Sequence, residues 1–209
     1  MGYVYVTGTA KDGSKITRKI TIHQAGADPE RKDVFIPELP RKEILDKLKK
    51  HMPIYEDDGS TTSFKGGTYL MKPRVVAYST EGGTGRQDEA RCFQFVGRYA
   101  MFYDIDADGQ PSESNEGLDI KFYYNCSGND FTLGWTQITS DFDEPSSLVK
   151  IAYVVSGTKT SGGIANMHYA EVILESTNDV NGVYPPEGSI TIWKDDDGLS
   201  NSTIWDPGD

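Results

Sequence analysis

The sequence predicts a mainly β domain, an antiparallel meander forming a β-sandwich, with one amphipathic helix near the N-terminus. Leu148–Val155 and Ile164–Leu174 are apolar, β-branched and aromatic-rich, and a Gly/Ser/Thr-rich connection joins them, as in two antiparallel strands. Short, turn-rich links between the later segments favour antiparallel neighbours. The 22 Gly and 10 Pro of the 209 residues also suit a chain with many turns.

Leu148–Val155 is apolar at both alternating positions, which is typical of a strand covered on both faces. We therefore expect this strand at the centre of the sheet. The alternative to a sandwich is a lipocalin-like up-and-down barrel. The helix is expected to lie across the sheet or to close an open end.

The chain begins with a predicted β-hairpin in residues 1–27. Residues 3–9 and 15–24 alternate between apolar and polar side chains, and Lys11-Asp-Gly-Ser14 between them is typical of a turn. Residues 28–37 are a polar connector. A single β domain is predicted over 38–195.

The hairpin ends in Ile20-Thr-Ile-His-Gln-Ala-Gly-Ala27, and with this ending it resembles the last two strands of a BACON domain. That family is an immunoglobulin-like sandwich found in exported proteins of gut bacteria, often beside glycan-degrading modules. A complete sandwich of this kind needs about seven strands. The segment is therefore either the remnant of such a domain or a hairpin that belongs to the main fold.

One helix is predicted over residues 40–51. Pro40 suits its first turn and Pro53 ends it. Its apolar stripe consists of Ile44, Leu45, Leu48 and Met52.

From Phe64 onward the chain is predicted to be β. The expected strands are 67–79, 91–104, 117–126, 130–139, 147–156, 166–175 and 188–194. One core face is expected from the shared parity of Phe93, Phe95, Tyr99, Met101 and Tyr103. Residues 196–209 are predicted to form a weakly ordered tail.

Residues 36–197 are similar, more loosely, to an uncharacterised group of Bacteroides-type gut-bacterial surface lipoprotein modules. The similarity is carried by segments such as His51-Met-Pro-Ile-Tyr55, Gly66-Gly-Thr-Tyr69 and Trp193-Lys-Asp-Asp-Asp-Gly198. It implies an exported protein at the cell surface or in the periplasm, lipid-anchored through an upstream segment. It implies no particular activity.

The net charge of −11 makes nucleic acid an unfavourable partner, because phosphate backbones would repel the chain on average. No segment approaches the roughly 18 apolar residues of a membrane-spanning helix. Cys92 and Cys126 both lie in strand-like segments. They would form a disulfide in an exported protein or remain two buried thiols, and both alternatives stay open.

A calcium site is the best metal prediction. In Asp104-Ile-Asp-Ala-Asp-Gly109, the carboxylates of Asp104, Asp106 and Asp108 alternate before a turning glycine, as in the first half of an EF-hand loop. The second half departs from that pattern, because Asn115 stands at the twelfth position. The alternative is an acidic hairpin turn.

Catalytic patterns are missing from the sequence. It contains no Gly-x-Ser-x-Gly elbow and no phosphate-binding loop, and its acidic residues are better explained as solvated faces and turns. We therefore expect no enzyme.

The predicted function is a non-catalytic, extracellular binding module for a polysaccharide or host glycan. Sugars bind to aromatic platforms beside polar groups. The candidate aromatic residues are Tyr123, Trp135, Tyr169 and Trp193. The alternative function is a structural or adhesive surface module without a small-molecule site. An aromatic-lined pocket would favour the first function, and an exposed apolar patch the second.

Overall fold

The computed structural model describes residues 2–9, 15–22, 42–56, 67–88, 90–96, 99–105, 123–140, 148–177, 182 and 184–203. The chain divides into two compact units, Met1–Val34 and Phe35–Asp209. The boundary between them falls within the predicted connector 28–37, whose residues lie outside the described ranges.

The first unit is the predicted β-hairpin. Strand β1 (Gly2–Thr9) pairs antiparallel with β2 (Lys15–Ile22), with Gly2 opposite Ile22 and Thr9 opposite Lys15. The hairpin prediction is therefore confirmed. The predicted turn and the residues after Ile22 lie outside the described residues, so the resemblance to a BACON domain stays a prediction.

The second unit contains one helix and a curled antiparallel sheet. Its elements are α1 (Lys42–His51), β3 (Gly67–Met71), β4 (Arg74–Ser79), β5 (Arg86–Gln87), β6 (Ala90–Val96), β7 (Tyr99–Ile105), β8 (Tyr123–Ser127), β9 (Asp130–Ser140), β10 (Leu148–Lys159), β11 (Gly163–Thr177), β12 (Ile190–Asp195) and β13 (Leu199–Thr203). The mainly β, antiparallel fold class is confirmed, and the curled sheet is compatible with a sandwich or a barrel-like arrangement. Of the predicted strand 117–126, residues 117–122 lie outside the described residues.

Strand β10 has the central place that its two apolar faces predict. It pairs with β9 on one edge and with β11 on the other, and β8 continues the sheet beyond β9. Every residue from Ile151 to Gly157 is buried. A strand with no polar face can be accommodated only between two covered surfaces.

The other edge of β11 is shared by two strands, so the order there departs from a simple meander. Strand β12 pairs with β11 at 168–172, and β13 pairs with it at 163–165. Beyond β12 lie β4 and β5, and beyond β13 lie β3, β6 and β7.

The predicted strand 67–79 is two strands, and this is a correction. Its two halves pair with β13 and β12, and they separate at Lys72 and Pro73, whose peptide bond is cis. Pro73 has no N–H to donate to a ladder, so it interrupts the strand. Its carbonyl oxygen instead accepts the N–H of Asp196 at 3.0 Å.

The predicted strand 91–104 is likewise two strands, β6 and β7. Phe93 lies opposite Phe102, and Val96 opposite Tyr99, so odd positions of one strand face even positions of the other. The expected shared face of Phe93 with Tyr99, Met101 and Tyr103 is therefore wrong. Phe93 shares its face with Phe102, which is buried.

The predicted weakly ordered tail 196–209 is wrong for residues 199–203. These form β13, which is hydrogen-bonded to both β11 and β3. A short strand with the sequence Leu-Ser-Asn-Ser-Thr has little apolar alternation, so its order comes from its two neighbours rather than from local preference. Residues 204–209 lie outside the described residues.

Two apolar cores lie on the two faces of β10 and β11. The outer core packs α1 against the sheet through Ile44, Leu48 and Met52, which contact residues such as Val154 and Val172. The inner core is aromatic-rich and lies between β9–β11 and the β3–β6–β7 part of the sheet. Three of the four residues of the predicted helix stripe are thus confirmed in this core, whereas Leu45 is half-buried, and the helix covers a sheet face.

Ile44→Val should lower the free energy of unfolding by about 1 kcal/mol, because it removes one methylene from the interface between helix and sheet. Ile54→Val makes the same chemical change at a half-buried position of the same core and should cost less. Urea denaturation monitored by circular dichroism measures both. Equal losses would contradict the packing described for α1.

Candidate ligand-binding site

The inner face of the sheet carries a row of stacked aromatic rings. Trp135 on β9 lies opposite Tyr153 on β10, with ring centroids 5.3 Å apart, and Tyr153 stacks on Tyr169 of β11 at 6.2 Å. Trp135 and Tyr169 are both 0% exposed. The expectation that they are sugar platforms is therefore corrected, since a ring without accessible surface presents no platform to solvent.

Arg91 of β6 lies at one end of this aromatic row and joins three elements. Its Nε and Nη2 atoms each donate to one carboxylate oxygen of Asp104 at 2.8 Å, which makes a bidentate pair. Asp104 is its direct cross-strand partner on β7. The Nη1 atom donates to Glu171 Oε1 at 3.0 Å and to the hydroxyl of Tyr169, both on β11.

A second arginine, Arg74 of β4, closes the group. Its Nη2 atom lies 3.1 Å from Asp104 Oδ1, and its guanidinium lies 5.2 Å from the centroid of the Trp193 ring. Arg91 in turn lies 4.9 Å from the centroid of Tyr169. These distances are those of cation–π contacts. We call Arg74, Arg91, Asp104, Tyr169, Glu171 and Trp193 the Arg91 cluster.

In the Arg91 cluster, the two carboxylates lie closer to solvent than the two guanidinium groups. The side chains of Asp104 and Glu171 are 38% and 33% exposed, whereas both arginines are buried. Formal charges balance, with two guanidinium groups against two carboxylates. The carboxylates of the cluster therefore have one side accessible to solvent, and on the buried side they are hydrogen-bonded or ion-paired to guanidinium groups.

The ionisation of these groups follows from that arrangement. Burial by itself would raise the pKa of Asp104, but hydrogen bonds and charges from Arg91 and Arg74 outweigh it, so the pKa lies below its usual value. Burial by itself would lower the pKa of the Arg91 guanidinium, but Asp104 and Glu171 outweigh it, so this pKa lies above its usual value. Asp104 is therefore suited to accept hydrogen bonds as a carboxylate and not to donate a proton as a general acid.

The calcium prediction is only partly covered by the structure. Both oxygens of Asp104 already face guanidinium groups, whose positive charges would compete with a cation. Asp106 and Asp108 lie outside the described residues. Among the residues that are described, no group of three or more His, Cys, Asp or Glu side chains is placed to hold a metal. The calcium site stays a prediction.

The structure brings together three of the seven predicted site residues: Asp104, Tyr169 and Trp193. Trp193 is half-buried and packs against the inner core. The backbone of Tyr123 lies in β8 opposite Gly134, and its side chain lies outside the described residues.

Sequence reasoning missed Arg74, Arg91 and Glu171. A signal for Arg91 was present, because it has the parity of Phe93 and Phe95 and thus places a charge on a core-facing side of the strand. Glu171 similarly shares the parity of Tyr169.

The two cysteines do not form a disulfide. Both Cys92 and Cys126 are buried thiols, and burial raises the pKa of Cys92 to about 12. Of the two alternatives that the sequence left open, the structure has the buried thiols.

No family model, no curated protein and no solved structure matches this chain. Within the described residues, no helix has both the length and the apolar character needed to cross a membrane.

Proposed function

We propose that the second unit is a non-catalytic module that binds a neutral carbohydrate at the Arg91 cluster. The observation that carries this proposal is the pair of partly exposed carboxylates, Asp104 and Glu171, held by the same buried guanidinium of Arg91. The half-buried Trp193 ring joins the group through Arg74, which also lies beside Asp104. Fixed carboxylates are suitable acceptors for sugar hydroxyl groups, and an indole ring offers an apolar surface to a pyranose face.

Charge balance supports a neutral ligand. The guanidinium groups of Arg74 and Arg91 are already paired with Asp104 and Glu171, so an anionic ligand would have to displace a carboxylate from a bidentate or partly buried pair. A neutral polyhydroxyl compound can instead donate to the outward side of the carboxylates. Because Arg91 holds them in place, little side-chain entropy is lost on binding.

Export and lipid anchoring belong to the same proposal. They rest on two sequence resemblances, that of residues 36–197 to surface lipoprotein modules and that of the hairpin to a BACON domain.

Affinity electrophoresis against a panel of host and plant polysaccharides tests the binding function. We expect a retained polysaccharide, with retention weakened about tenfold by Glu171→Gln. A hydrogen bond to a charged acceptor contributes roughly 1.5–3 kcal/mol, and one to the neutral acceptor that glutamine keeps contributes roughly 0.5–1.5 kcal/mol. Trp193→Ala should weaken it at least as much. The panel is run with calcium and again with EDTA, and loss in EDTA alone would support the predicted metal site.

Glu175→Gln is the matched control. Glu175 lies on the same strand, is exposed, and is 3.9 Å from Lys150, away from the Arg91 cluster. It should leave retention unchanged. If no polysaccharide is retained by protein whose circular dichroism shows it to be folded, carbohydrate binding at this site is wrong.

A structural or adhesive surface module is the second candidate function, and one observation favours it. Ile138 and Leu148 are 62% and 46% exposed. Because Ile138 lies opposite Lys150 on β10, it shares a sheet face with Leu148 on the neighbouring strand. Failure of the polysaccharide panel would leave this candidate as the better account.

A further inference from the structure

A row of buried polar side chains crosses three strands on the sheet face opposite the Arg91 cluster. Thr132 on β9 lies opposite Ser156 on β10, which lies opposite His168 on β11. All three side chains are buried. Directly opposed residues of antiparallel strands have Cβ atoms about 4.5–5.5 Å apart, so Ser156 is a neighbour of both Thr132 and His168.

The segment that follows α1 contacts this row at Thr132. The backbone N–H of Tyr55 donates to Thr132 Oγ1 at 2.8 Å. Since that oxygen is the acceptor, the hydroxyl of Thr132 keeps its own hydrogen for a further bond.

His168 presents its second ring nitrogen as an acceptor. Its Nδ1 atom lies 3.0 Å from the carbonyl oxygen of Asn166, and only a protonated Nδ1 can donate to a carbonyl. Burial lowers the pKa of His168, and Lys194 lowers it too, although the bond to Asn166 opposes them. The ring is therefore neutral at pH 7, with Nε2 unprotonated.

Ser156 is the group that needs a partner. Its Oγ atom is buried and makes no hydrogen bond within the part of the chain that the structure describes. Leaving a buried hydroxyl without a partner costs about 1–3 kcal/mol. The neighbouring acceptor on His168 and donor on Thr132 are the complementary groups.

We propose that Thr132, Ser156 and His168 form a site for one buried water molecule. The water donates to Nε2 of His168 and exchanges hydrogen bonds with the hydroxyls of Ser156 and Thr132. This gives it three protein partners, the usual number for an internal water. Through Thr132 it links the central strands to the segment over them.

A crystal structure at high resolution tests the site directly. We expect an ordered water about 2.7–3.2 Å from both Ser156 Oγ and His168 Nε2. A direct bond between these two atoms, or density in which neither atom has a water neighbour, would overturn the proposal.

Nitrogen NMR of His168 supplies a second measurement that needs no variant. The expected spectrum is that of the Nδ1–H tautomer, and an Nε2–H tautomer would overturn the assignment of Nε2 as an acceptor.

Ser156→Ala should remove the water from the crystal structure while the bond between Tyr55 and Thr132 remains. A water retained at the same place in that variant would show that Ser156 is not part of the site.

Discussion

Arg91→Met should lower the free energy of unfolding by about 3 kcal/mol. The guanidinium of Arg91 bonds two carboxylates and the Tyr169 hydroxyl, and methionine keeps only the apolar part of the side chain. Removing one partner from a buried ion pair leaves the other charge uncompensated, at a cost of about 3–5 kcal/mol in well-buried cases. We place the expected loss at the lower end because Asp104 and Glu171 retain some contact with solvent.

Arg86→Met is the matched control, because Arg86 also bonds two carboxylates. Its Nε and Nη1 atoms donate to Asp88 and Asp196, each at 2.9 Å, but all three side chains are exposed. Exposed ion pairs contribute little, so the urea midpoint should not change measurably. Equal effects of the two substitutions would show that burial does not set the contribution of the Arg91 cluster.

The central strand and the helix could be predicted because their signals are local. Leu148–Val155 is apolar at both alternating positions, and Ile44, Leu48 and Met52 have helical spacing. Each pattern therefore predicts which faces of its own element are buried. The break at Pro73 also had a local signal, the missing N–H. The segments Thr68–Met71 and Val75–Tyr78 on either side of it have strong strand preferences, which is why alternation alone predicts one continuous strand.

The Arg91 cluster could not be predicted, because its members come from five strands. Arg91 and Glu171 are 80 residues apart, and their meeting depends on how the β6–β7 part of the sheet faces β11. The parity of Phe102 shows the same dependence, since it is set by the register of a hairpin and not by alternation along the chain. Strand β13 likewise owes its order to neighbours distant in sequence.

Asp195→Asn should stabilise the protein at pH 7.5 by about 1–3 kcal/mol. Asp195 is 5% exposed at the end of β12, and its Oδ2 atom accepts the hydroxyl of Ser200 at 2.6 Å. Burial, together with the neighbouring Asp197, raises the pKa of Asp195 from 3.8 to about 6. The folded protein at neutral pH therefore holds a carboxylate that would be more stable protonated, and each pKa unit corresponds to about 1.4 kcal/mol.

The pH dependence of the unfolding free energy tests whether the raised pKa of Asp195 is the cause of this effect. A pKa that is higher in the folded state than in the unfolded state stabilises fully below pH 3.8, and that contribution is lost as the pH rises through about 6. The difference in unfolding free energy between Asp195→Asn and the unaltered protein should thus be small near pH 4, grow through pH 6 and level off above about pH 7. Asparagine keeps one oxygen that accepts the Ser200 hydroxyl, but it loses the Oδ1 acceptor of the Asp197 N–H at 3.3 Å. Because that loss does not depend on pH, it shifts the whole difference curve without changing its shape.

Asp88→Asn is the control for net charge, because it removes one negative charge at an exposed side chain that bonds Arg86. A rise between about pH 4 and pH 6 as large in this variant as in Asp195→Asn would show that the loss of a charge, and not burial, is the cause. Urea denaturation at a series of pH values measures all three proteins. If the curves of Asp195→Asn and the unaltered protein stay parallel from pH 4 to pH 8, Asp195 titrates as an ordinary surface carboxylate and its burial has no energetic consequence.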